Sequence, residues 1–345
     1  MKQTPLIVIL FDSITNSVFQ SQVILPLLTH HAWQRPIYIV SFETQHIPTE
    51  ELMQLTACHP FLHFIIRRRM PFVGVLSIYQ SAWALRSILR TFDYYELRAR
   101  GPLAGLVAYH ASTIHCLHLT IQARGLLAEE YDYTTLEKPF SWLHSARSIL
   151  YSQIESCVYG AVAATTDVPI TIEAVSPALK KYLQETYATP EHVCRIATED
   201  IPPMHDQTTL TSLRIMARNQ LEIEQDAYVV CYNGSSHAWQ CPEKVIEHFK
   251  QRKALFDRCI LLILTTNPDH FVQLLTQETI DAQFYRVKSV PHNEVFQYLA
   301  AADEGVVFRQ PHIINWVSRP TKVLEYQAVG LPIVHNNTIA MLSEC

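Results

Sequence analysis

Short apolar runs rich in β-branched and aromatic residues recur along the chain, with stretches of helical spacing between them. In the C-terminal half the runs are Tyr228–Tyr232, Cys259–Thr265, Phe284–Lys288, Gly305–Phe308 and Leu331–His335. Helical patterns fill the gaps at Pro242–Lys253, Pro268–Gln277, Asn293–Ala301 and Thr321–Val329. Near-continuous hydrophobic strands separated by helices of about ten residues predict a parallel sheet covered on both faces. Local signals agree. Pro242 suits a first helical turn, Glu243 complements its dipole, and Gly330 suits a left-handed helix stop.

The N-terminal half repeats the alternation. Its strand candidates are Leu6–Phe11, Ile37–Phe42, Phe61–Ile66, Tyr95–Ala99, Cys116–Ile121 and Ile170–Val175. Its helix candidates include Val18–His30, Val75–Arg90, Leu103–Ser112, Phe140–Tyr159 and Pro177–Tyr187. Two successive sets of this kind predict an α/β protein of two Rossmann-like, doubly wound domains, 1–200 and 201–345, with Ile196–Leu210 as the linker. Ligands of open α/β sheets bind at the carboxyl ends of the strands, so the active site is expected in an interdomain cleft.

Composition narrows the partners. Of 345 residues, 48% are hydrophobic and 17% charged, enough for two large cores. A net charge of −5 supplies no basic field for nucleic acid. The eight cysteines contain no CxxC, which suits free thiols in a reducing cytosol. The opening MKQTPLIVILFD reads as a buried strand ending at Asp12 rather than a signal peptide. No apolar stretch approaches the ~20 residues that cross a bilayer. The expected location is cytoplasmic, with peripheral attachment at the inner face of a membrane as the variant.

Two constellations carry chemistry. Tyr232-Asn233-Gly234-Ser235-Ser236 follows a strand and precedes a helix, so its backbone N–H groups are placed to meet an anion. An ordinary βα turn that needs one glycine has the same pattern. The second constellation runs from Ser318 to Val334. Pro320 or Thr321 opens a helix, Arg319 and Lys322 are cations in that turn, and Glu325 lies one turn on. Such a set suits a diphosphate and a ribose diol, and a surface helix with three charges is the plain alternative.

The stretch Pro291–Val334 resembles the donor-binding domain of family 4 glycosyltransferases, which have the GT-B fold. The likeness lies in Val290-Pro291-His292-Asn293-Glu294-Val295, Tyr298–Asp303, Gly305-Val306-Val307 and above all Pro320-Thr321-Lys322 with Glu325-Tyr326 and Gly330-Leu331-Pro332. It extends over Ala227–Val334 and is patchy before that, where Arg124-Gly125-Leu126 with Glu129-Glu130 and, more weakly, Glu155 with Ala174-Val175-Ser176 are similar to elements of some members. The resemblance implies that Gly234 and Ser235 lie against the donor diphosphate and that Lys322 and Arg319 neutralise it. It places Thr321 at the same helix start and makes Glu325 the second acid of an E-x7-E pattern, holding the ribose. It brings Val287–Ser289, with Val287 and Ser289 at its ends, to the base. It also implies a metal-independent, retaining transfer from a UDP- or GDP-sugar to a glycan or lipid-linked acceptor, with no cofactor. Three features depart from the family. Val317 stands at the first acid of E-x7-E, Lys244 is the only cation near the donor loop, and Asp12-Ser13-Ile14-Thr15-Asn16-Ser17 replaces a glycine-rich loop. The donor domain also reads as short at its C-terminus.

On the acceptor side the candidates are Arg100, His110 and Arg124. Arg100 and Arg124 each follow a strand candidate, where a cleft edge and an ordinary surface are equal readings. The spacing of His110, His115 and His118 suits neither one helix face nor one strand face, so no metal site is expected. Arg67–Arg69 followed by Met70–Leu89, with Phe72, Tyr79 and Trp83, reads as a solvated charge run before a core helix; a membrane-anchored acceptor would favour the same pattern as a peripheral membrane contact. Two other activities fit this architecture: a sugar-nucleotide epimerase, and a non-catalytic relative that binds a ligand or partner.

Overall fold

The computed structural model describes residues 4–16, 19–30, 35–70, 74–135 and 141–343. The chain divides into two compact units, Met1–Asp200 and Ile201–Cys345.

In the first unit β1 (Leu6–Leu10), β2 (Ile37–Glu43), β3 (Leu62–Arg68), β4 (Tyr95–Arg100), β5 (Cys116–Ala123), β6 (Ile170–Ala174) and β7 (Cys194–Ile196) form one sheet in the order β3-β2-β1-β4-β5-β6-β7. Every pairing is parallel. A π-helical turn at Gln20–Ile24 runs into α1 (Leu25–His30). The other helices are α2 (Thr49–Cys58), α3 (Val75–Leu89), α4 (Gly101–Ala111), α5 (Leu127–Thr135), α6 (Trp142–Ser156) and α7 (Pro177–Tyr187). The central strand Leu6-Ile7-Val8-Ile9-Leu10 is no more than 2% exposed at any residue, because helices cover both faces. The chain moves one way across the sheet from β1 to β3 and the other way from β3 to β7. Right-handed crossovers therefore place α3, α4 and α6 together on one face, and α4 packs against both neighbours.

In the second unit β8 (Tyr228–Asn233), β9 (Cys259–Leu264), β10 (Tyr285–Lys288), β11 (Glu304–Val307) and β12 (Ile333–His335) form a parallel sheet in the order β10-β9-β8-β11-β12. Its helices are α8 (Gln207–Gln220), α9 (Pro242–Lys253), α10 (Pro268–Gln277), α11 (Val295–Leu299), α12 (Ile313–Trp316), α13 (Thr321–Ala328) and α14 (Ala340–Ser343). Two apolar clusters fill its faces, one around Val229, Leu262, Leu299 and Val323, the other around Val230, Ile246, Leu261 and Phe271.

Some expected boundaries move. The linker Ile196–Leu210 is cut short, because Asp206 accepts a hydrogen bond from Thr209 N at 2.9 Å and starts α8 at Gln207. Helix α4 begins at Gly101, whose φ of +79° makes the turn directly out of β4. The outer face of α3 carries exposed Leu76, Tyr79 and Trp83 rather than a wholly buried helix; Phe72 lies outside the described residues.

Arg218 on α8 is fully buried and ties the second unit together. It donates to the carbonyls of Ala301, Glu224, Gln225 and Ala227 and to Asp303 Oδ2, and Arg214 holds the other Asp303 oxygen. Arg218→Met leaves these buried acceptors short of donors. The expected cost is about 3–5 kcal/mol, read as a lower unfolding midpoint in urea at unchanged slope. A midpoint within error of the parent would show that water replaces the guanidinium.

Candidate functional site

The site of the second unit is built where β8 ends. A parallel strand buried on both faces can show polar groups only at its ends, and β8 reaches its carboxyl end at Asn233. Gly234 follows with φ +154°; a Cβ there would overlap Lys322 Nζ and come within 2.8 Å of Gln240 Oε1. The glycine is therefore what lets the backbone turn lie directly against the lysine head.

Lys322 comes from the first turn of α13 and is 8% exposed. Its Nζ donates to Gln240 Oε1 at 2.7 Å and sits 4.2 Å from the centre of the Tyr232 ring. Burial, with the charge of Arg309 adding to it, holds its ammonium well below the ordinary lysine range. Among the described residues no carboxylate lies within ion-pair distance of it. Gln240 is fixed in turn by donating to Ser235 Oγ at 2.7 Å, while Tyr232 Oη donates to Ser235 O at 2.6 Å.

Glu325 lies one turn along α13, 6% exposed. Asn233 Nδ2 donates to its Oε2 at 2.6 Å, and His292 Nδ1 is 3.9 Å from its Oε1. Burial pushes its carboxyl up to about 7, against the pull of Lys322 and Asn233. Tyr326 underpins the turn. Its ring fills the space a side chain at Gly305 would take, and its Oη accepts from Asn233 N at 2.9 Å.

The sequence candidates therefore separate. Gly234, Ser235, Lys322 and Glu325 come together. Thr321 and Arg319 lie half-buried at the start of α13. Val287 is half-buried on edge strand β10 and Ser289 exposed just past it, and the following loop carries His292 to Glu325. Lys244 sits exposed in the first turn of α9, and among the described residues no hydrogen bond joins it to the Gly234 turn. Val317 is 1% exposed, so an apolar side chain occupies the first acid position of the pattern. Gln240 and Arg309 were not singled out in the sequence. Gln240 belongs to a 3-10 turn with no periodic signal, and Arg309 follows β11 with only a strand end to mark it.

The first unit has a polar pocket of about 330 Å³ at the carboxyl ends of β1, β4 and β5. Asp12, Asn16, Gln22, Arg100, Arg124 and Glu130 line it. Arg100 donates to Asp12 Oδ2 at 3.2 Å and Gln22 Oε1 at 2.5 Å, and Arg124 donates to Asp200 Oδ2 at 2.7 Å. Glu130 opens to the pocket but is ringed by protein. That burial, then Glu155 and Asp12, pushes its carboxyl up to about 7. The placement of His110 with these arginines is corrected by the fold. His110 stands at the far end of α4 from Arg100, beside the Tyr79 and Tyr109 rings. His118 pairs with Thr171, and His115 lies against Tyr94. Among the described residues no group of three His, Cys, Asp or Glu could hold a metal, and no helix is long and apolar enough to cross a membrane.

The sequence matches no family model and no curated protein. Solved structures do match. Sucrose-phosphate synthase from Thermosynechococcus elongatus is similar over 98% of this chain and 82% of its own, with a TM-score of 0.65 at 14% identity. WaaG, a glycosyltransferase involved in lipopolysaccharide biosynthesis, gives 0.66 at 14% identity over 98% of this chain and 83% of its own. Anabaena HepE, solved in complex with UDP and glucose, gives 0.65 at 12% identity over 99% and 83%. At these identities the likeness is one of fold: the chain has two parallel-sheet α/β domains of the GT-B type.

The raised carboxyl of Glu325 has a consequence for stability. With a folded value of about 7 against an unfolded 4.5, the folded state holds the extra proton between those limits. Stability from this group is then present below pH 4.5 and lost as pH rises towards 7. Glu325→Gln is expected to flatten the fall of unfolding free energy between pH 4.5 and 7. An unchanged slope would place the titration elsewhere.

Proposed function

We propose that the chain is a glycosyltransferase that moves a sugar from a UDP- or GDP-sugar to a glycan or lipid-linked acceptor, without a metal ion and with retention of the anomeric configuration. The observation that carries the reading is Lys322, buried against the Gly234 turn and one helical turn from Glu325. A buried ammonium without a carboxylate partner is a site for an anion that arrives with the substrate. The diphosphate lies on the Gly234-Ser235 turn at the start of α13, and Lys322, with Arg309 and Arg319, neutralises it. Glu325 accepts from the ribose hydroxyls, and the loop after β10 meets the base at Val287 and Ser289. The bond from the anomeric carbon to the diphosphate breaks with its electrons passing to the diphosphate. The acceptor oxygen bonds that carbon on the same face and gives up its proton to the departing diphosphate. The protein lowers the barrier by stabilising charge on the leaving group. Arg100, Arg124 and Glu130 in the pocket of the first unit hold the acceptor, which leaves His110 out of the site. HepE was solved with UDP and glucose, which makes UDP the first donor base to try.

Val317 supports a second reading, a relative that binds the nucleotide without transferring sugar. Calorimetric titration with UDP, GDP, ADP and CMP in metal-free buffer, followed by a transfer assay with the sugar conjugates of the base that binds, separates the two. Binding of one base is expected, and Lys322→Ala and Glu325→Ala should each weaken it by roughly 1.5–3 kcal/mol. Unchanged affinity in both variants would remove the site. Binding without turnover would leave the second reading.

Binding should also take up protons. A diphosphate beside Lys322 favours its charged form, which burial disfavours in the free protein, whereas Glu325, near 7, is already largely ionised at pH 8 and contributes little. At pH 8 the binding heat is expected to change with the ionisation heat of the buffer in the sense of uptake, and Lys322→Met should abolish the difference. Equal heats in all buffers would mean that Lys322 is already charged in the free protein.

A further inference from the structure

Gln240 ends the 3-10 turn Ala238–Gln240 and is half-buried where that turn meets the first turn of α13. The turn is held from two sides. Gln240 N donates to His237 O at 2.8 Å, and Gln310 N, one residue beyond Arg309, donates to Trp239 O at 3.3 Å. Cys241 follows in the left-handed region, with φ +49° and ψ +56°. A residue other than glycine stays there only where its surroundings over-determine it. The side chain of Gln240 makes its bonds inside the site. Nε2 donates to Ser235 Oγ at 2.7 Å. Oε1 accepts from Lys322 Nζ at 2.7 Å and lies 2.8 Å from Tyr232 Oη. The amide thus bridges the lysine head and the Ser235 hydroxyl of the Gly234 turn.

An amide does here what no other side chain of its size does. A carboxylate would pair with Lys322, satisfy it and cancel its charge. An apolar side chain would leave the buried head with the face of the Tyr232 ring alone. The amide oxygen holds the head by one hydrogen bond and adds no charge. A lysine ammonium has three donors, and among the described residues Gln240 is the one acceptor that meets them. We infer that Gln240 is a positioning residue: it keeps Lys322 against the Gly234 turn as a preformed socket for a pyrophosphate group, and its neutral amide is what leaves that socket open. The inference rests on the donor-site reading only for the nucleoside that the pyrophosphate carries.

The first test needs no ligand. It is a double-mutant cycle of Gln240→Glu and Lys322→Met, read by urea unfolding at pH 8. Gln240→Glu is expected to raise the unfolding midpoint where Lys322 is present and to lower it in the Lys322→Met background, where the new carboxyl loses its lysine partner. A double variant too unstable to fold has the same sign. The second test is calorimetric titration at pH 8 with inorganic pyrophosphate and with UDP, in metal-free buffers of different ionisation heat. Gln240→Glu should weaken both ligands roughly 10- to 100-fold and abolish proton uptake, because its carboxylate already holds Lys322 in the charged form. Gln240→Met, similar in size and neutral, should keep the uptake. A residue that only braced the turn would make the two variants alike. Additive effects in the cycle, Gln240→Glu binding pyrophosphate as the parent does, or the same uptake in both variants would overturn the inference. A parent that binds pyrophosphate but no nucleotide would overturn the donor reading and leave the socket standing. A parent that binds neither would remove both.

Discussion

The site of the second unit depends on one buried lysine head. Moving a lysine head out of water is costly unless something replaces its hydration. At Lys322 the replacement is partial: one amide oxygen, from Gln240, and the face of the Tyr232 ring. The surroundings are shaped by that arrangement. Gly234 has no side chain because the lysine head needs its place, Gln240 is held by Ser235, and Tyr326 fixes the turn from below. Arg309 raises the local positive potential further. Such a site is poorly satisfied alone and well satisfied by an incoming anion, which is the electrostatic form of preorganisation.

The parallel sheets explain why this chemistry sits where it does. With helices on both faces, the middle of each strand is closed to water, so polar function is confined to strand ends and the loops beyond them. Around β8 the order reverses, with β9 on one side and β11 on the other, and the carboxyl ends at such a switch are where open α/β sheets bind ligands. Around β1 the same reversal occurs between β2 and β4, and the polar pocket of the first unit opens beside it. The two units are built differently in strand number and place their polar residues by the same rule.

Much of the fold was legible because buried parallel strands are nearly continuous apolar runs. The five runs of the second unit and six of the first all became strands. What the pattern missed is instructive. Helix α2 has no fully buried residue, so its apolar stripe was faint. Strand β7 is three residues long, and α5 owes its start to Glu155, a residue from the next helix. Within the candidate site, Lys322, Glu325 and Gly234 were visible because a helix start, a one-turn spacing and a βα glycine are local. Gln240, Arg309 and the Tyr232–Lys322 contact were not, because they exist only once α13 packs beside β8. His110 came from the group His110, His115 and His118, whose spacing fixes no common face, and the fold carries it to the far end of α4 from Arg100.

Charge distinguishes the two polar sites. In the first unit Asp12 and Asp200 answer Arg100 and Arg124, and Glu130 adds a carboxyl poised between its two forms. That balance suits a neutral, hydroxyl-rich ligand, whose groups both donate and accept, better than an ion. In the second unit Lys322 and Arg309 outweigh a single carboxyl that is itself half-protonated near neutral pH. The imbalance suits a ligand that brings negative charge. An anionic donor and a neutral polyol acceptor are what a sugar transfer brings together. Val317 then has a physical meaning: with an apolar side chain at that position, the site of the second unit keeps its excess positive charge. A carboxylate introduced at 317, where Val317 is 1% exposed, would have to be buried, and burial disfavours its charged form.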